Sequence, residues 1–247
     1  WMASLGNRPI QETAIELDPY AVLANGDPSQ LAVSSKRLLV CKLKDVEEKD
    51  PYFRRGDFWR RFSVAGFFTQ EVVEEIKPLI SCGSQGHLRD LILELLVGSP
   101  AIEYLKDELR QLVLASTEIE HARFLANSCL LELDEYDHRA DLAVLIFEAS
   151  ESSLKLAAKI IETLGSKNFE KEYLAGFLRI CAHLYPDRKM RFERTIGARL
   201  FVKRFVDTLD LPILTQLLDE LTKGLACKCG EKRHKCECRN GTSKIVG

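Results

Sequence analysis

The chain has 247 residues, 46% of them hydrophobic and 29% charged, enough apolar material for one large core or two modest ones, which excludes general disorder. Its 35 Lys and Arg stand against 37 Asp and Glu, a net charge of -2, so no global basic field is present to coat nucleic acid. No apolar run approaches the roughly 18 residues of a membrane span, and no basic head followed by an apolar stretch opens the chain. The expectation is a soluble cytoplasmic protein without a secretion signal or a membrane partner. The chain begins at Trp1 with Met2 behind it, which reads either as a residue appended before Met2 or as a cut from something longer.

Residues 1–28 are polar and rich in turn formers, closing on Asn25-Gly26-Asp27-Pro28, and are expected to run over the surface. From residue 29 onward apolar residues recur at steps of three and four, and no long alternating stretch is flanked by Asn-Gly or Asp-Gly. This pattern predicts an all-α fold. Helices are predicted over 29–46, 69–80, 86–98, 102–115, 118–133, 138–149, 151–164, 169–184, 190–208 and 212–224. Thr117 with Glu120 reads as a capping box, Ser99-Pro100 and Leu211-Pro212 as helix starts, and Gly165 as a C-cap. The organisation is then 1–28, a polar N-terminal segment; 29–84, N-terminal helices with an Arg/aromatic segment; 85–225, helical repeats; and 226–247, a Cys-rich tail.

The repeats emerge from self-comparison. His87-Leu88-Arg89 aligns with His121-Ala122-Arg123 and Ser153-Leu154-Lys155 at offsets of 34 and 32. Leu91 then matches Leu125 and Ala157, and Leu95 matches Cys129 and Ile161. Second helices keep the same step: Leu109, Leu112 and Val113 match Leu142, Leu145 and Ile146, then Leu174, Phe177 and Leu178. Helix pairs of this length bury their faces by stacking, so the reading is a HEAT-like α-solenoid of stacked helix pairs with one concave surface free for a protein partner. Leu91, Leu125, Ile161, Leu145 and Leu178 are expected in the core.

Between the first helix and the repeats, Asp50 to Phe62 interleaves arginines with aromatics. Such a segment can stack and neutralise nucleic acid; it can equally place its aromatics in the core and pair its arginines with Glu47, Glu48, Asp50 and Asp57. Asp18-Pro19-Tyr20-Ala21-Val22-Leu23-Ala24-Asn25-Gly26-Asp27, Arg37-Leu38-Leu39, Asp50-Pro51-Tyr52-Phe53 and His87 to Leu96 occur in this order. Over roughly residues 18–165 this resembles the helical-repeat region that follows the NTPase module in bacterial STAND (NACHT-like) proteins. The resemblance implies a non-catalytic sensor or scaffold in signalling or antiviral defence, with ATP handled upstream, and it carries over no catalytic residue. The Cys-rich tail departs from that pattern.

No G-x-x-x-x-G-K-[ST] phosphate loop occurs, so the chain is expected not to hydrolyse ATP. Asp134 with Glu135 and Asp219 with Glu220 read as solvated pairs. His87 and His121 occupy equivalent repeat positions, and His138 and His183 stand alone without metal spacing. A Cys129–His121 nucleophilic pair is discarded, since eight residues of helix separate them by about 12 Å. Cys41, Cys82, Cys129 and Cys181 read as single core thiols. Cys227, Cys229, Cys236 and Cys238, four thiols in C-x-C-x6-C-x-C order with His234 in reserve, are the candidate ligands for Zn²⁺. An unliganded reduced tail and disulfides are the other readings of the same cysteines. Lys232, Arg233, Lys235 and Arg239 would lower the thiol pKa values and could contact nucleic acid. A zinc-dependent nucleic-acid-binding module is therefore the alternative function.

Overall fold

The computed structural model describes residues 6–54, 64–184 and 195–223, together with residue 245. Among these residues every regular element is a helix and no strand occurs, as the periodicity predicted. The chain divides into two compact units, residues 1–136 and 137–247.

The first unit corrects the reading of the N-terminal segment. Residues expected on the surface form α1 (Arg8–Leu17) and α2 (Pro19–Asn25). The Asn7 side chain accepts the Ile10 N–H, and the Asp18 side chain accepts the Ala21 N–H at 2.9 Å with Pro19 in the first turn. Asp18-Pro19 is therefore a helix start within the segment expected to run over the surface, because proline is preorganised for the first helical position and aspartate satisfies an orphan N–H. Ile15 and Leu23 are buried, and the Gln11 side chain accepts the Ala32 N–H at 3.1 Å, fixing the entry to α3 (Val33–Lys49).

The predicted helix over 69–80 is cut short. Two 3-10 turns lead into α4 (Val73–Ile76), only four residues long. Lys77 keeps helical backbone, but Pro78 after it has no N–H to donate, so the helical hydrogen-bond ladder is interrupted there. Phe67, Phe68, Val72, Ile76 and Ile80 still enter the core. α5 (His87–Leu96) follows, then a 3-10 turn, α6 (Lys106–Leu114) and α7 (Glu120–Leu130). α7 packs against both α5 and α6. The Thr117–Glu120 capping box does not form: Ile119 is the N-cap without a side-chain bond, and Thr117 is exposed. Of the expected core residues, Leu91 is fully buried whereas Leu125 is only half-buried. On α7 the inward face is Ala122, Ala126, Cys129 and Leu130, which displaces Leu125 toward its edge.

The second unit holds α8 (His138–Glu148), α9 (Glu151–Leu164), α10 (Lys171–Cys181), α11 (Thr195–Asp207) and α12 (Leu211–Thr222). α8 turns into α9 through Ala149, whose φ of 55° is left-handed, and Ser150, which exchanges hydrogen bonds with Ser153 as a capping box. Gly165 closes α9 at φ 84°, as its position after an apolar face predicted. Leu145, Ile161, Phe177, Leu178 and Phe205 are buried, with the Phe177 and Phe205 rings edge to face at 5.2 Å. α10 packs against α11 and α12.

Candidate functional site

Cys227, Cys229, Cys236 and Cys238, and with them Lys232, Arg233, Lys235 and Arg239, lie outside the described residues. Among the described residues no group of three or more His, Cys, Asp or Glu is placed to hold a metal ion. Nor is any helix there long and apolar enough to cross a membrane.

The single cysteines split. Cys129 and Cys181 are buried as expected, and burial pushes both thiols up to about 12. The Cys129 thiol donates to the Leu93 carbonyl at 3.6 Å, so it is a protonated packing group and no nucleophile. Cys41 and Cys82 are exposed, against expectation, because each falls on the outer side of its local structure. His138 is buried, and that burial lowers its pKa against the pull of Asp141 and Asp137. Glu220 is likewise buried rather than solvated, pairing with Lys223 and with Lys171 at 3.8 Å.

The repeat-equivalent arginines prove to be interior. Arg89 is 3% exposed, and its Nη1 donates to the Glu118 carboxylate at 3.0 Å. Arg123 is 1% exposed, and its Nε donates to the Val113 carbonyl at 2.9 Å, at the C-terminal end of α6. A cation satisfies orphan carbonyls there and meets the negative end of the helix dipole. Arg54, expected to pair with nearby acids, reaches Glu94 of α5 at 2.9 Å. Burial pushes the Glu118 carboxyl up, but the Gly83 N–H, the Arg89 guanidinium and the Ile119 N–H outweigh it and hold the pKa below the usual value. Asp90 is raised by burial, with His121, Arg89 and His87 opposing and Glu94 adding to the rise; its Oδ1 has no hydrogen-bond partner. Glu47 reaches from α3 to accept the Leu88 N–H at 2.7 Å, capping α5. A side chain at Gly86 (φ +131°) would collide with that carboxylate. These interactions lock helix to helix and consume their charges in doing so.

The other distinctive surface is apolar. On α8, Leu142 and Leu145 are buried, yet Val144 is 43% and Phe147 91% exposed, with Ala140 and Ala143 exposed beside them. The spacing i, i+3, i+4, i+7 puts these four on one stripe. Sequence reading concentrated on the inward face of this helix. The signal for the outward one was present, since apolar residues surround α8 almost completely. Smaller apolar exposures occur at Leu211, 75% exposed on α12, and around Pro9, Ile10, Thr13, Ala14 and Leu17 of α1, which line an open groove of about 270 Å³. No family model, no curated protein and no solved structure matches the chain.

Proposed function

We propose that the chain is a non-catalytic helical-repeat scaffold that holds a protein partner, the sensor or scaffold part of a STAND-type ATPase in signalling or antiviral defence. In this reading residues 85–225 form one HEAT-like stack with the partner on its concave face, and the protein works in the cytoplasm. What supports it is the equivalence of positions: Leu88, Ala122 and Leu154 are all buried at the repeat spacing, as are Arg89 and Arg123. The third equivalent of the arginines, Lys155, is half-buried and pairs with Glu151, so the apolar position recurs in all three first helices and the buried arginine in two. The STAND assignment rests on the sequence resemblance.

Two observations test the proposal. The purified chain with ATP and Mg²⁺ should show no turnover, and saturable hydrolysis would overturn the non-catalytic part. A phosphate-loop motif in frame upstream would support the STAND part, whereas an in-frame start at Met2 would weaken it. The alternative, a zinc-dependent nucleic-acid-binding module, rests on Cys227, Cys229, Cys236 and Cys238 beside Lys232, Arg233, Lys235 and Arg239. Metal near one per chain, lost in Cys227→Ser, with duplex or single-strand binding that weakens as salt rises, would favour it.

A further inference from the structure

In the first helices of the repeats, one position is apolar twice and acidic once. Asp90 of α5 aligns with Phe124 of α7 and with Leu156 of α9, and Leu156 is fully buried. Asp90 is half-buried, and its Oδ1 is sealed from solvent with no hydrogen-bond partner. A buried acceptor left unmet lowers stability in a way that the apolar residue of the sister helices would not. A residue that breaks its own repeat without a compensating contact points to a role outside packing.

The surroundings of Asp90 define that role. The foremost charge acting on it is His121 of α7, the helix packed against α5; Arg89, Glu94 and His87 of α5 itself follow. The Arg89 charge is matched by Glu118 and the Glu94 charge by Arg54. His87 lies one turn before Asp90, with its ring 5.5 Å from that of Tyr52. From α3, also packed on α5, comes Glu47, which accepts the Leu88 N–H. Among the described groups acting on Asp90, His121 is therefore the one that belongs to another helix, and imidazole is the side chain that changes charge between about pH 5 and 8. Neutral, it leaves the carboxylate unmatched; protonated, it supplies a cation across the interface. Burial acts in the same sense. It raises the Asp90 pKa, so the contribution of this carboxyl is complete below the ordinary value of 3.8 and is lost as pH rises through the folded one. We propose that Asp90 and His121 form an acid-operated joint between α5 and α7, loose at neutral pH and drawn together when the imidazole takes up a proton. The joint belongs to the first unit and does not depend on the scaffold reading.

Amide hydrogen exchange of the full chain at about pH 7.5 and 5.5, corrected for the intrinsic pH dependence of the exchange rate, reads the two helices directly. Both conditions lie above 4.5, where the depressed Glu118 carboxyl stays charged. His138, whose burial acts in the opposite sense, lies in the second unit. On acidification, protection in α5 and α7 should rise about threefold or more, the size of a modest coupling between neighbouring groups. Asp90→Leu restores the residue that α9 carries; it should protect both helices better than wild type at pH 7.5 and lose the rise. Asp90→Asn keeps the shape without the charge and should act in the same direction, so the test stands even where the leucine packs badly. His121→Gln should hold protection at its neutral level in acid, whereas His87→Gln, a change on the same helix as Asp90, should keep most of the rise. Flat protection in the wild type, a rise that survives in His121→Gln, or an Asp90→Asn chain less protected than wild type at pH 7.5 would overturn the proposal.

Discussion

Glu118→Ala is expected to be among the most damaging substitutions at any acidic residue of the first unit. The Glu118 side chain is 7% exposed, takes the Arg89 guanidinium at 3.0 Å and also accepts the Gly83 N–H. Its loss strands a guanidinium that is 3% exposed and whose Nε already has no hydrogen-bond partner. Breaking a buried pair from one side costs about 3 to 5 kcal/mol, a large part of the roughly 5 to 15 kcal/mol that holds a domain folded. Urea denaturation at pH 7 measures the loss. Arg89→Met combined with Glu118→Ala should be less destabilised than the two single effects together, by about 0.5 to 3 kcal/mol, because no charge is left stranded. The pH dependence follows from the sign of the shift. A depressed carboxyl pKa gives stability that is complete above about 4.5 and is lost as pH falls through the folded value, so Glu118→Ala should flatten the acid limb. A Glu118→Ala variant within about 0.5 kcal/mol of wild type, or a double variant as unstable as the sum, would refute the lock.

Three further expectations concern other links of the fold. Ala149 holds a left-handed conformation usually given to glycine, so Ala149→Gly should raise stability by about 0.5 to 1 kcal/mol in thermal melts, and a lower stability would contradict the strain. Leu91→Ala should cost about 2 to 5 kcal/mol and Leu125→Ala about 1, since only the first empties a fully buried site; equal costs would reject the displaced α7 face. His138 is held neutral by burial, so its contribution is complete above its unfolded pKa of about 6.5 and fades as pH falls below it. Melting curves between pH 7.5 and 5.5 should therefore fall less steeply for His138→Gln than for wild type, and parallel slopes would count against burial as the cause.

Helix class, the register of most helices and the burial of Leu91, Leu145, Ile161 and Leu178 were legible in the sequence, because a 3.6-residue period is a local property that any core-facing helix must display. Gly165 as a C-cap and Pro212 as a helix opener were legible for the same reason: their backbone preferences act within a few residues. The short α4 and the two N-terminal helices were legible in principle, through Pro78, Asp18-Pro19 and Asn7, but composition alone pointed the other way. Long-range pairing was decided only by tertiary structure. Arg89 meets Glu118, Arg54 meets Glu94 and Glu47 caps α5 across separations of 29 to 41 residues, and an isolated Arg gives no sign of whether it will be solvated or desolvated. The same holds for α8. Its sequence declares two apolar faces, but which is covered and which stays exposed depends on where the neighbouring helices lie, information that resides in the packing rather than in the period.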